Sequence, residues 1–148
     1  MIAQIEGAAL AAAIRTSPWA YPALETVHIV GLATLFGSLL VFELRVFGAG
    51  RDLPLAALAR LASRTALAGF LMAAASGVMM WSSDAAALSA NPAFLAKLAL
   101  ITLAGINAAL FRLRGSPERA DAAARMQAGA SLVLWAAAIA AGRLIAYV

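Results

Sequence analysis

The chain has 148 residues, of which 64% are hydrophobic and only 12% charged, with a formal net charge of +4 and no cysteine. A soluble domain carries about 25% charged residues; here the apolar residues come in long runs, which places the chain among membrane proteins. The missing cysteine excludes disulfides, thiolate metal sites and cysteine nucleophiles, and the positive residues sit at helix ends, where membrane topology accounts for them without nucleic acid.

The N-terminal stretch MIAQIEGAALAAAIR has no basic leader and carries Glu6, so it reads poorly as a cleaved signal peptide. Its apolar part is too short to cross a bilayer. Alanine favours helix, and residues 1–15 are expected to form an interfacial helix that lies at the membrane surface or caps the bundle. Residues 16–148 then form one transmembrane domain. Four runs approach the ~20 residues a helical crossing needs: 22–47, 65–81, 94–113 and 128–148, the second with an earlier start open in PLAALARLASR. Pro22 suits the first turn of the first span, GAGRDLP breaks spans one and two, and Asn91-Pro92 reads as a turn and helix start. Ser116-Pro117-Glu118 resembles an N-cap, a first-turn proline and an acid ahead of the last span. The expected architecture is all-α: a four-helix transmembrane bundle with an N-terminal interfacial helix.

Basic residues set the expected orientation. Arg45, Arg51, Arg60 and Arg64 flank the first connection and Arg112, Arg114, Arg119 and Arg125 the third, whereas no Lys or Arg lies between Trp81 and Phe94. The positive-inside rule puts connections one and three in the cytoplasm. Both termini then face outward, into the periplasm if the membrane is a Gram-negative inner membrane. Trp19, Tyr21, Trp81 and Tyr147 fall at the outer boundary as an aromatic belt.

That topology collects polar groups into one outer layer. Glu25 and the chain's single histidine, His28, share a face of the first span, with Gly31 one turn deeper. Met79 and Met80 end the second span, where Gly69, Ala73 and Gly77 make a stripe of small residues that would let a helix or a planar ligand come close. Lys97 opens the third span and Arg143 lies about one turn from the end of the fourth. Ionisable groups in membranes are costly and usually face the bundle interior or water.

Each residue has a plain reading and a sharper one. His28 is either hydrogen-bonded within the bundle or snorkelling, or an axial ligand of haem b with Met80 or Met79 as partner, or a copper ligand beside the same thioethers. Lys97 and Arg143 snorkel to headgroups or hold propionates, and Glu25 pairs with one of them or orients the imidazole. Glu43 and Arg45 are expected to snorkel or to pair near Arg60 and Arg64; Asn107, deep in the third span, is expected to hydrogen-bond across the bundle. The chain has no HExxH, no phosphate loop, no Ser/His/Asp set, and no acid expected near the bilayer midplane. No enzymatic group-transfer chemistry is therefore expected.

The stretch WAYPALETVHIVGLATLFGSLLVFELRVFG resembles a family of small uncharacterised bacterial integral-membrane proteins that share a P-x-x-E-x-x-H-x-x-G start to the first span and an L-R end to it. Here these are Pro22, Glu25, His28, Gly31, Leu44 and Arg45, and FLAKLALITLAGINAALF is similar to that family's third span at Lys97 and Asn107. A remoter likeness is to the membrane domain of copper-resistance D-type proteins, which also carry an early membrane histidine followed by glycine. The resemblance implies the fold and draws attention to His28, and supplies no reaction. The functional expectations are a b-type haem protein for electron transfer or sensing near the periplasmic face, a copper-binding or transport module using His28 with Met79 and Met80, or a structural subunit without cofactor. Alanine and glycine on every span favour a homo-oligomer, dimer or trimer, in the bilayer. Such an oligomer could share a cofactor and meet a redox partner.

Overall fold

The computed structural model describes residues 2–115 and 120–148. Among them are seven helices: α1 (Ile2–Glu6), α2 (Ala9–Thr16), α3 (Ala20–Phe47), α4 (Leu55–Ser83), α5 (Ala85–Ala90), α6 (Pro92–Leu113) and α7 (Ala122–Leu144). The protein is all-helical, and α3, α4, α6 and α7 are each long and apolar enough to cross a membrane. At ~1.5 Å per residue, α3 and α4 exceed the ~30 Å hydrocarbon core by about two turns. The surplus in α4 is its first turns, where Arg60 and Arg64 are exposed while Ala59 and Ala62 are buried. This helix therefore begins well before the apolar run at residue 65, because its early alanines have α3 and α7 to pack against.

The ends are chemically explicit. α3 stops at Gly48 (φ 108°), and the Ala49 N–H returns to the Leu44 carbonyl at 3.0 Å, a left-handed glycine stop. Arg45 fastens the following loop by donating to the carbonyls of Leu53 (2.9 Å) and Arg51 (3.2 Å), rather than reaching Arg60 or Arg64. Asn91 caps α6 by accepting from the N–H groups of Ala93 and Phe94, with Pro92 in the first turn. Its amide also donates to the carbonyls of Val148 (2.7 Å) and Ile145 (3.3 Å), tying the C-terminal residues to the start of α6. The expected cap at Ser116-Pro117-Glu118 lies outside the described residues; α7 is capped by Asp121, whose carboxylate accepts from the Ala124 N–H at 2.7 Å.

α3 packs along α4, α6 packs along α7, and α3 joins the two pairs through α7. Small side chains make this possible. Most buried apolar residues are alanines, and Val46 is the largest fully buried side chain. The large aliphatic residues point outward: Ile29, Leu67, Leu71, Val78, Leu103 and Val133 are all exposed, as lipid contact requires. Without a hydrophobic drive between helices in lipid, close approach of small residues supplies the packing energy. Gly31 and Gly69 are the tightest point. A Cβ on Gly31 would stand 2.7 Å from the Ala73 nitrogen, and one on Gly69 would stand 2.6 Å from the Leu35 nitrogen. Several hydroxyls within the spans return to their own helices, as Thr34 does to Val30 (2.8 Å) and Thr102 to Leu98 (2.9 Å), which satisfies those donors in hydrocarbon.

The N-terminal segment is two short helices, broken near Gly7. α2 buries Ala11 and Ile14 against α4 and α3. Arg15 donates to the Ser83 carbonyl at the end of α4 (3.1 Å) and to the Glu6 carbonyl at the end of α1 (2.7 Å). Glu6 accepts from the Ala86 N–H in the first turn of α5 (2.8 Å). The segment thus closes the end of its own bundle, the end that also carries His28.

Candidate functional site

His28 sits two turns into α3 and is half-buried against α4. Its Nδ1 lies 2.8 Å from the Ala73 carbonyl oxygen and 3.2 Å from Ser76 Oγ. A carbonyl can only accept, so Nδ1 carries the proton, and in the neutral imidazole Nε2 keeps its lone pair. Ser76 is buried and spends its own proton on the Met72 carbonyl (2.8 Å) or the Ala73 carbonyl (3.1 Å), which leaves its oxygen free to receive from the imidazole. The ring lies over Gly77, where a Cβ would stand 3.1 Å from Cε1. α3 thus presents an imidazole whose tautomer and plane are set by α4.

Two sequence expectations are corrected here. The room beside Gly31 is filled by the backbone of α4, and that beside Gly77 by the imidazole itself, so neither glycine offers its face to a planar cofactor. Glu25 does not orient the ring; it is exposed, and the ring nitrogen's partners are Ala73 and Ser76. Ser76 is the residue that sequence reasoning missed. Its signal was a lone hydroxyl one residue before Gly77 on the face that meets α3.

Lys97 of α6 is partly buried. Its stem crosses Gly142 of α7, where a Cβ would stand 3.2 Å from Nζ and 3.4 Å from Cδ and Cε. Lys97 and Glu25 both lie within charge-interaction range of His28. Arg143 is not brought to this group. It is exposed, with Nη2 donating to the Tyr147 hydroxyl at 2.7 Å and its guanidinium 5.0 Å from that ring's centroid. Met80 continues the Ala73–Gly77 face one turn toward the helix end, while Met79 is rotated off it; both are partly buried. Among the described residues, no group of three or more His, Asp or Glu side chains is placed to hold a metal ion.

The profile of the family of unknown function DUF6644 matches residues 8–148, which takes in α2 to α7 and every residue of this site. The chain belongs to that family. No curated protein and no solved structure matches it. The His28 clasp is therefore a feature of a DUF6644 membrane domain, and its chemistry has to be read from its own geometry.

At the other end of α3, the DUF6644 chain departs from expectation again. Glu43 does not snorkel. It is 3% exposed, and its Oε2 is buried without a hydrogen-bond partner. Asn107 meets its expectation: its amide donates across the bundle to the Gln127 carbonyl of α7 at 3.0 Å.

Proposed function

We propose that this DUF6644 protein is a membrane-embedded electron-transfer or sensing protein in which His28 is an axial ligand of haem b. The observation that supports the reading is the Nδ1 bond to the Ala73 carbonyl. Metal-bound histidines commonly donate their second ring nitrogen to a carbonyl or carboxylate, which fixes the tautomer and raises the basicity of the ligating nitrogen. Nε2 of His28 is left as that ligating nitrogen. Lys97, whose charge is felt at His28, would neutralise a propionate. The chain's own interior supplies no slot at Gly31 or Gly77, so the macrocycle would lie outside the α3–α4 seam, its opposite wall and second ligand coming from Met80 or from another copy in a homodimer or homotrimer. With connections one and three cytoplasmic, the site lies near the periplasmic face of a bacterial inner membrane, and both termini face outward.

A second reading has its own support. Every hydrogen bond of the imidazole goes to α4, and such a clasp stabilises a helix pair without any cofactor. A copper site from His28 and Met80 would share the same geometry. One measurement separates the three: absorption spectra of detergent-purified protein from haem-replete cells, oxidised and dithionite-reduced, beside His28→Ala. A Soret band that sharpens on reduction and is lost in the variant supports axial ligation. A colourless wild type sinks the haem reading; copper content that falls in His28→Ala would then favour copper, and an unchanged metal content with lowered stability the structural clasp.

A further inference from the structure

Between the two core clusters, α3, α4, α6 and α7 line a half-open cavity of ≈ 420 Å³, within the range that holds small organic ligands. Most of its wall is apolar, with Trp135 and Phe70 in edge-to-face contact at 6.2 Å on one side. Glu43 of α3 forms part of the wall, and Ser131 of α7 stands within hydrogen-bonding reach of the carboxyl group. Oε2 is nevertheless buried and unpartnered. A buried acceptor left without a donor costs about 1–3 kcal/mol, more if charged, and most such groups in folded proteins have a partner. Asn107 shares the wall; one N–H of its amide goes to the Gln127 carbonyl, and Oδ1 is able to accept. Among the described residues, Glu43 Oε2 is thus the buried side-chain atom of this wall that still needs a donor. Arg112 also borders the space, but it is exposed at the end of α6 and does not bond Oε2.

The cavity has a side door. α4 and α6 scarcely touch, whereas α3 packs on α4, α6 on α7 and α3 on α7. Leu67 of α4 and Ala108 of α6, both exposed, stand at this opening. A lateral way in from the lipid is therefore open.

We infer that this cavity is a binding site for a small lipophilic ammonium: a protonated primary amine on an apolar body, its N–H groups given to Glu43 Oε2 and Asn107 Oδ1 and its body against Trp135. Charge complementarity chooses the occupant. A neutral lipid chain would fill the volume and leave the carboxylate as it stands, and a bare metal ion would find one carboxylate among apolar walls.

Trp135 makes the site readable. With Trp19 and Trp81 replaced by phenylalanine, Trp135 is the only indole. The probes are 4-amino-TEMPO, a cationic nitroxide that quenches indole fluorescence at short range, and its neutral isostere 4-hydroxy-TEMPO. The expected result is saturable quenching by the amine at a concentration at least about tenfold below any saturation by the alcohol. Glu43→Gln should bring the two probes together, and Ala108→Phe, placed at the mouth without touching the carboxylate, should weaken both. Linear, unsaturable and equal quenching by the two nitroxides would overturn the assignment and leave lipid or detergent chains as the occupants. So would amine preference that survives in Glu43→Gln. Should Glu43→Gln not yield folded protein, quenching by the amine that is unaffected by Ala108→Phe would overturn it equally.

Discussion

Replacing Gly31 by alanine is the sharpest test of how α3 and α4 are joined. The added methyl would stand 2.7 Å from the Ala73 nitrogen, 2.9 Å from the Gly69 carbonyl oxygen and 3.1 Å from the Ala73 Cα, all of them backbone atoms that no rotamer change can move. An ordinary contact begins near 3.4 Å, so the helices must part by roughly 0.7 Å at this point. A gap of ~0.5–1 Å forfeits a quarter to a half of the dispersion attraction across it, and overpacking of a tight contact costs about 1–3 kcal/mol. Gly37 on the same helix is the internal control. A Cβ there meets nothing within 4 Å, so Gly37→Ala should gain about 0.5–1 kcal/mol from helix propensity alone. The two substitutions are chemically identical and gain the same propensity, so Gly31→Ala is expected to be less stable than Gly37→Ala by the overpacking cost, about 1–3 kcal/mol. Unfolding by SDS in mixed micelles, followed by circular dichroism, reads the difference. The same separation would loosen the His28–Ala73 bond, visible as a changed ¹⁵N tautomer signature of the imidazole. Equal stability of the two variants would refute the account of the glycine seam.

Three further outcomes are expected. Asn91→Ala should cost about 1 kcal/mol from the lost cap of α6, whereas Asn91→Asp keeps the cap and loses only the amide's ties to Ile145 and Val148, so that faster hydrogen exchange confined to residues 145–148 distinguishes them. Glu6→Ala and Arg15→Ala should each free α1 and α2 from the bundle end, read as protease cleavage before Trp19 at concentrations that leave the wild type intact; resistance equal to wild type would mean that the contacts of Ala11 and Ile14 suffice. Glu43→Leu, which replaces an unpartnered buried acceptor by an apolar group of similar size, should raise stability by about 1–3 kcal/mol in the SDS titration. A loss of similar size would show that the carboxylate makes a favourable interaction within the bundle.

Composition and run length made the four long helices legible, because a bilayer asks for length and apolarity before anything else. Asn91-Pro92 was equally plain, since an asparagine cap followed by a first-turn proline satisfies the orphan N–H groups by local chemistry. The orientation of individual side chains was not legible. Glu43 lies one turn from the end of α3, and distance along the helix suggested a snorkelling acid; only its rotation toward α7 buries it, and rotation is fixed by which alanines of α4 and α7 come closest. Gly31 and Gly77 illustrate the same limit. A small residue announces a close approach but not what approaches, and here it is α4 at one and the imidazole at the other. Arg143 shares a helix end with Lys97's neighbour Gly142, yet one residue is a 100° rotation, enough to send its side chain to Tyr147 on the surface.

His28 and Glu43 are the two ionisable side chains of α3 that turn toward other helices, and they are fifteen residues apart, roughly 22 Å along the axis. They share no partner: His28 is held by Ala73 and Ser76 of α4, and Glu43 faces α7 through Ser131. Between them the Gly31–Gly69 contact fixes α3 against α4, so a change at one end has no loose element through which to reach the other. Sites this far apart without common contacts usually add within about 0.5 kcal/mol. The stability change of His28→Ala combined with Glu43→Leu should therefore equal the sum of the single changes within that margin. A discrepancy above about 1 kcal/mol would require the α3–α4 seam to slide as a unit, and would join the clasp and the cavity into one mechanism rather than two.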